Sequence, residues 1–275
     1  MSGETQTDLK DCGVIYVAKG ARSYIEEALE SARSVRRAMP GLRIALFTDA
    51  LPEDVKGPVD MVLPITSTRT GFSAKIDPLL HTPFERTLFL DTDVYMAESC
   101  ADLFGMLEKF DLCVSQDPWR GSYSWETVPF AFATTNTGVI GYRLTPAIRK
   151  LILDWGALHT NEYSKFQSND QPAFRKVLYD SQIRFLTLPP EFNLRTYHPC
   201  MLGGHMGPRI LHERNSRLPD IAARMQEVRR RTGDPIIYGH PDPRLLFYYY
   251  TMKAHRVFRR WSEKLFRPAK KSASP

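Results

Sequence analysis

The stretch Thr87-Leu88-Phe89-Leu90-Asp91-Thr92-Asp93-Val94-Tyr95 decides the fold. Its first four residues, apolar, aromatic or β-branched, read as a buried strand, and the run ends in two carboxylates two residues apart. In extended backbone, residues i and i+2 share a face, so Asp91 and Asp93 can turn their oxygens toward one point. Two hard anionic oxygen donors suit Mg²⁺ or Mn²⁺ better than zinc, and such ions keep positions for phosphate oxygens and water. The same tripeptide can also simply end a strand, or cap a turn through side-chain hydrogen bonds.

Upstream, Gly13 to Ala18 reads as a first strand with Gly20 as its turn. Ser23 to Arg37 follows as an amphipathic helix whose inward residues include Ile25, Leu29, Ala32 and Val35. Pro40-Gly41 stops it, Leu42 to Phe47 is a second strand, and Val59 to Leu63 a shorter third. Strand, helix, strand at this pace opens an α/β sheet. A polar loop, Thr66 to Gly71, leads to a short helix, Ser73 to Leu80. It carries Lys75 just ahead of the acidic strand, an order that can bring an ammonium to the carboxylates.

Downstream come a helix from Ala101 to Lys109, a strand from Leu112 to Ser115, and a long loop from Gln116 to Phe132. That loop holds Trp119, Tyr123 and Trp125, readable as core aromatics or as a sugar-stacking wall. Asn136-Thr137-Gly138-Val139-Ile140-Gly141-Tyr142 is a strand with a polar entry. Thr145-Pro146 starts a helix to about His159, and Asn169-Asp170 caps another from Gln171 to Tyr179. Ile183 to Leu188 is a strand stopped by Pro189-Pro190, and Glu191 to Pro208 is irregular. Arg209-Ile210-Leu211-His212 is a short strand ending in histidine, and Ser216 to Arg231 is a charged helix. His198, His205 and His240 read as loop residues, with His205 the nearest rival to His212 because Gly203-Gly204 and Gly207 flank it.

With 275 residues and 43% hydrophobic content, the chain can bury a sizeable core and is not of the disordered class. Its four cysteines, Cys12, Cys100, Cys113 and Cys200, are far apart and form no Cys-x-x-Cys pair. Neither a disulfide scaffold nor a structural zinc site is suggested, and a reducing cytoplasm fits. Met1 to Asp11 lacks the order of a secretory signal, and no apolar run reaches membrane-spanning length. The net charge of +6 sits in the tail: Lys253 to Lys271 holds eight Lys/Arg and one Glu, so the remainder is close to neutral. That distribution argues against nucleic acid as a partner. Within the tail, Val257, Phe258, Trp261, Leu265 and Phe266 alternate with basic residues. This basic amphipathic segment suits either packing on the domain or an anionic membrane surface.

The ordered set Tyr16-Val17-Ala18, Lys75, Asp91-Thr92-Asp93, Asn136-Thr137-Gly138-Val139, Asn169-Asp170-Gln171 and Ile210-Leu211-His212 resembles the GT-A glycosyltransferases. It looks closest to glycosyltransferase family 8, which includes glycogenin and the bacterial lipooligosaccharide galactosyltransferases. The resemblance implies a GT-A, Rossmann-like mixed, mainly parallel sheet flanked by helices. The catalytic domain would span residues 13–215, between an arm at 1–12 and a helical extension with the basic tail at 216–275. It implies transfer of a hexose from a nucleotide diphosphate sugar, expected to be a UDP-sugar, to a glycan or glycolipid acceptor, with retention. Asp91 and Asp93 match the Asp-x-Asp motif that binds Mn²⁺ or Mg²⁺, and His212 the histidine that completes the metal site. Tyr16 and Ala18 match the edge of the base pocket, with Lys19 beside them, and Lys75 a basic residue at the diphosphate. Thr92 lies within the donor motif, Asn136, Thr137 and Gly138 match a segment facing the donor, and Asp170 and Gln171 the pair under the donor sugar. The chain departs from the pattern after the histidine, where Glu213-Arg214 stands, leaving Arg209 and Arg214 as candidates to meet the leaving phosphate. Two alternatives stay open: a phosphatase or phosphomutase with Asp91 as nucleophile, and a sugar-nucleotide-binding protein without turnover. The expected location is the cytoplasm, with peripheral attachment to the inner face of the membrane through the tail.

Overall fold

The structure is a computed structural model that describes residues 8–117, 125–162, 169–196, 200–203, 206–232 and 236–238. Its central element is β4 (Arg86–Leu90), the apolar run that precedes Asp91. Beside it lies β1 (Cys12–Ala18), followed outward by β2 (Arg43–Thr48) and β3 (Met61–Pro64), all parallel. On the other side β7 (Thr135–Arg143) runs antiparallel to β4 and to β6 (Leu112–Gln116), and β8 (Phe185–Leu188) is parallel to β6. The order β3-β2-β1-β4-β7-β6-β8 gives the mixed, mainly parallel sheet expected from the sequence.

Both faces of this sheet are covered, which is why its strands read as nearly continuous apolar runs. On one face, α1 (Arg22–Ala38) buries Ile25, Ala28, Leu29, Ala32 and Val35 at helical spacing against Val14, Tyr16, Leu46 and Leu88, joined by α2 (Ala101–Met106). On the other, α3 (Pro146–Asn161) and α4 (Gln171–Asp180) pack against Ile15, Phe89, Ile140 and Tyr142. Trp155 and Phe174 meet edge to face there, 4.8 Å between centroids. The side chain of Thr145 caps α3 by accepting from the Ile148 amide, with Pro146 in the first turn, as the sequence signals.

A smaller sheet places the end of the chain against the acidic stretch. In the order β5-β11-β9, β5 (Val94–Met96) pairs antiparallel with β11 (Ile210–His212), and β11 runs parallel to β9 (Leu194–Arg195). The register sets His212 opposite Val94, one residue past Asp93, and the Glu213 amide donates to the Asp93 carbonyl at 3.0 Å. The helix α5 (Leu218–Thr232) packs Leu218, Ala222 and Met225 against Leu194, Leu202 and Leu211 beneath this sheet. Thus the helix that opens the expected extension is seated against the residues that precede it. A further strand, β12 (Ile236–Tyr238), pairs antiparallel with β10 (Cys200–Leu202). The basic tail lies outside the described residues, as do Trp119, Tyr123, His198, His205 and His240. Among the described residues no helix is long and apolar enough to cross a membrane.

Three local expectations change. Residues 73–80 form no α-helix but two 3₁₀ turns, Gly71–Lys75 and Asp77–His81. Pro78 lacks an amide hydrogen and disfavours α geometry in the residue before it, so a continuous helix cannot run through. Residues 191–208 are not wholly irregular, since they contribute the Pro190–Phe192 turn, β9 and β10. The Asp170 side chain does not cap α4; the neighbouring Asn169 oxygen accepts the Gln171 amide at 3.1 Å instead.

Candidate functional site

A cleft of about 540 Å³ opens where β4 ends and β7 begins, and its wall is shared by Lys75, Asp91, Asp93, Asp170, Gln171 and His212. Four separate segments therefore meet at one place, and the pairing of the strands explains how. Asp91 continues the line of β4, and its amide donates to the Gly138 carbonyl on β7 at 2.8 Å. Asp93 leads into β5, where β11 delivers His212. The pairing of β7 with β6 shifts register between Val114 and Ser115. Thr137 to Val139 consequently has no partner on β6, and the Thr137 carbonyl turns to the Lys75 ammonium at 3.1 Å.

The two aspartates and His212 each present one donor atom, and these atoms all lie within 4.8 Å of one another. His212 Nε2 is 3.3 Å from Asp93 Oδ1 and 3.7 Å from Asp91 Oδ2. Only a glycine at position 138 allows this approach: a Cβ built there would fall 2.1 Å from His212 Cε1 and 2.6 Å from Asp91 Oδ2. Burial works to raise the Asp93 carboxyl, but the hydrogen bond and charge of His212 outweigh it and hold the group down to about 2. Two carboxylates and one imidazole suit a hard divalent ion such as Mn²⁺ or Mg²⁺, so the donor set fits the cation that the sequence pattern implies.

Lys75 is no solvated surface lysine, being 5% exposed. Its ammonium donates to Asp91 Oδ1 at 3.2 Å and stands 3.7 Å from Asp170 Oδ2. Burial pulls its pKa down, but the charges of Asp170 and Asp91 outweigh that and keep it protonated. Asp170, 2% exposed, is pushed up by burial and by Asp91 against the pull of Lys75. Its carboxylate accepts from the Thr137 hydroxyl at 2.9 Å, while its carbonyl accepts the Trp155 indole N–H at 3.0 Å. Lys75 thus ties the cation corner to the Asp170–Gln171 corner through one buried charge.

Thr92, Asn136 and Thr137 also line the cleft, and Gly138 lies directly beneath His212. Thr92 donates to Glu27 at 2.9 Å. Tyr16 and Ala18, expected at the base pocket, face the other way. Side chains alternate along β1, so both lie with Val14 on the α1 side, and the Tyr16 hydroxyl meets Ser31 at 2.8 Å. Their neighbours Val17 and Lys19 line the cleft in their place, together with Tyr24 and the exposed Phe72. Of the two arginine candidates, Arg214 lies on the cleft wall over the Tyr24 ring, 5.0 Å from its centroid. Arg209 instead bonds the Ser99 carbonyl and pairs with Glu98 at 3.8 Å. Trp125 donates to the Pro172 carbonyl at 2.8 Å, which fixes that end of the long loop beside Gln171.

No protein-family model matches this chain, and no curated protein matches it by sequence. Its backbone is similar to that of GlyE, a glycosyltransferase of Streptococcus pneumoniae TIGR4, with a TM-score of 0.55 at 15% identity over 78% of this chain and 60% of GlyE. It is also similar to the galactosyltransferase LgtC in complex with donor and acceptor sugar analogs, with a TM-score of 0.56 at 14% identity over 80% of this chain and 95% of LgtC. An active-site mutant of LgtC gives 0.58 at 14% identity over 84% and 98% of the two chains. The chain thus spans 60 to 66% of GlyE and nearly all of LgtC. At such identities the likeness is one of fold, and the fold is that of a GT-A glycosyltransferase.

Replacing Gly138 tests the packing of the site. Gly138→Ala should displace His212 and weaken divalent-cation binding by at least about tenfold, while far-ultraviolet circular dichroism keeps its native shape. Unchanged cation affinity in that variant would show that His212 does not sit where described.

Proposed function

We propose that this protein is a metal-dependent glycosyltransferase that moves a hexose from a nucleotide diphosphate sugar, a UDP-sugar, to a glycan or glycolipid acceptor with retention of configuration. The observation that carries this reading is the convergence of Asp91, Asp93 and His212 with Lys75, Asp170 and Gln171 on one cleft of a GT-A fold. LgtC, similar in fold, was solved with both donor and acceptor sugar analogs, which supports a cleft that takes two sugars.

Breaking the bond between sugar C1 and phosphate leaves negative charge on the diphosphate and oxocarbenium character on the sugar. A divalent cation held by Asp91, Asp93 and His212 would supply Lewis-acid stabilisation of the diphosphate oxygens. Lys75 adds a fixed positive charge from beneath the floor. Because it is buried and engaged with Asp91 and Thr137, it acts as an immobile counter-charge rather than as a swinging arm. Arg214, half-exposed on the wall and paired with Glu27 at 3.4 Å, is the arginine we assign to meet a phosphate oxygen as the charge develops. On the sugar side, Asp170 is held by Thr137 and Lys75, so the amide carbonyl of Gln171 is the group we assign to face the positive anomeric carbon. The basic tail would hold the enzyme at an anionic membrane surface near a lipid-linked acceptor.

In calorimetry, Asp93→Ala should abolish the Mn²⁺-dependent part of UDP binding, whereas wild-type affinity in the variant would refute the assignment. Thermal-shift screening of UDP-, GDP- and TDP-sugars with Mn²⁺ identifies the donor, since ligand at a hundredfold its Kd stabilises the fold by about 2.7 kcal/mol. A chain ending at Met252 should no longer sediment with vesicles containing anionic lipid; undiminished sedimentation would reject the membrane role of the tail.

A further inference from the structure

Behind His212 runs a line of buried side chains that contributes no donor to the cation cluster. Asn193, 5% exposed, sets its Oδ1 2.8 Å from His212 Nδ1. Its Nδ2 donates to Asn136 Oδ1 at 2.9 Å. That same oxygen accepts the Gly138 amide at 3.0 Å, and Asn136 Nδ2 donates to Asp117 Oδ2 at 3.4 Å.

The polarity of this line is fixed by the main chain. The Gly138 N–H can only donate, so the Asn136 atom that meets it is the carbonyl oxygen. Asn193 must then turn its NH₂ toward that oxygen, which leaves its own carbonyl for the histidine. A carbonyl only accepts, so His212 Nδ1 carries a proton. In the neutral ring, the form that takes a cation once the proton shared with Asp93 has left, the lone pair is therefore on Nε2, the nitrogen that lies 3.3 Å from Asp93 and 3.7 Å from Asp91.

We infer that Asn193 is a positioning residue: through the line from Gly138 and Asn136 it holds His212 as the Nδ1–H tautomer and aims Nε2 at the point between Asp91 and Asp93 where a divalent cation binds. This rests on the metal-dependent reading above. Without Asn193 the ring loses both its orientation and the acceptor that keeps the proton on Nδ1, and a proton on Nε2 occupies the lone pair that a cation needs. Asn193 itself adds nothing to the negative charge of the site, which distinguishes its role from that of a further carboxylate. Gly138 serves twice, since its amide sets the polarity of the line and its missing Cβ makes room for the ring that the line orients.

The test measures Mn²⁺ affinity of the full chain by electron paramagnetic resonance, with no nucleotide or acceptor present. Asn193→Ala should bind Mn²⁺ roughly 10- to 100-fold more weakly than the wild type. Asn193→Asp keeps an oxygen acceptor at Nδ1 but sets its second oxygen against Asn136 Oδ1, so its loss should be clearly smaller than that of Asn193→Ala without vanishing. In a His212→Gln background, where no ring remains to be aimed, Asn193→Ala should cost little more. Wild-type affinity in Asn193→Ala, equal loss in Asn193→Asp, or the same fold-loss in the His212→Gln background would each overturn the inference. Should Asn193→Ala fail to fold, Asn193→Leu, which fills a similar volume but offers no acceptor to Nδ1, takes its place and is read in the same way. A wild-type chain that binds no Mn²⁺ would overturn the metal-dependent reading itself, a result distinct from wild-type binding that the Asn193 variants leave unchanged.

Discussion

Two carboxylates held at the end of one strand repel each other, and much of the cleft is arranged around that repulsion. At separations near 4–5 Å and an effective dielectric of about 20, like unit charges oppose each other by about 3–4 kcal/mol. Lys75 answers from below Asp91, and His212 answers from the side of Asp93. Each compensator comes from a different part of the chain, so the charge pair can be tolerated only after the strands have assembled. Lys75 arrives on a 3₁₀ turn that leads into β4, and His212 arrives on β11, far downstream in sequence. The site is thus a product of the completed fold, and a cation bound there would further relieve the repulsion.

That constraint also explains the glycine and the register shift on β7. A regular, fully paired strand carrying a Cβ at position 138 would push the histidine away from the carboxylates. The irregular pairing with β6 between Val114 and Ser115 leaves the Thr137 carbonyl available to Lys75. Local irregularity of this kind lowers sheet regularity but sets functional groups at close quarters.

The sheet was legible because its strands carry strong signals: apolar runs in β1, β2, β4 and β7, and a clean helical period in α1. The order of short motifs also singled out Asp91, Asp93, Lys75, His212 and the Asp170–Gln171 pair, which the structure brings to one cleft. What sequence reading mistook has a physical origin. Tyr16 and Ala18 belong to the α1 face of β1, which strict alternation with the buried Val14 would have indicated. The helix expected at 73–80 was broken by Pro78, a signal present in the sequence but outweighed by the apolar residues around it. Asn193 carried no signal at all, because a lone asparagine beside a two-residue strand has no period, and its partners lie 57 and 19 residues away.

In the proposed function, Asp91, Asp93 and His212 hold a single divalent cation in the cleft of the GT-A fold. Anomalous X-ray diffraction above the manganese absorption edge, from crystals grown with Mn²⁺ and UDP, tests it most directly. The expected result is one strong anomalous peak in contact with one oxygen from each aspartate, with Nε2 of His212 and with the diphosphate. No peak between these three side chains, or a peak bound elsewhere while His212 turns away, would contradict it.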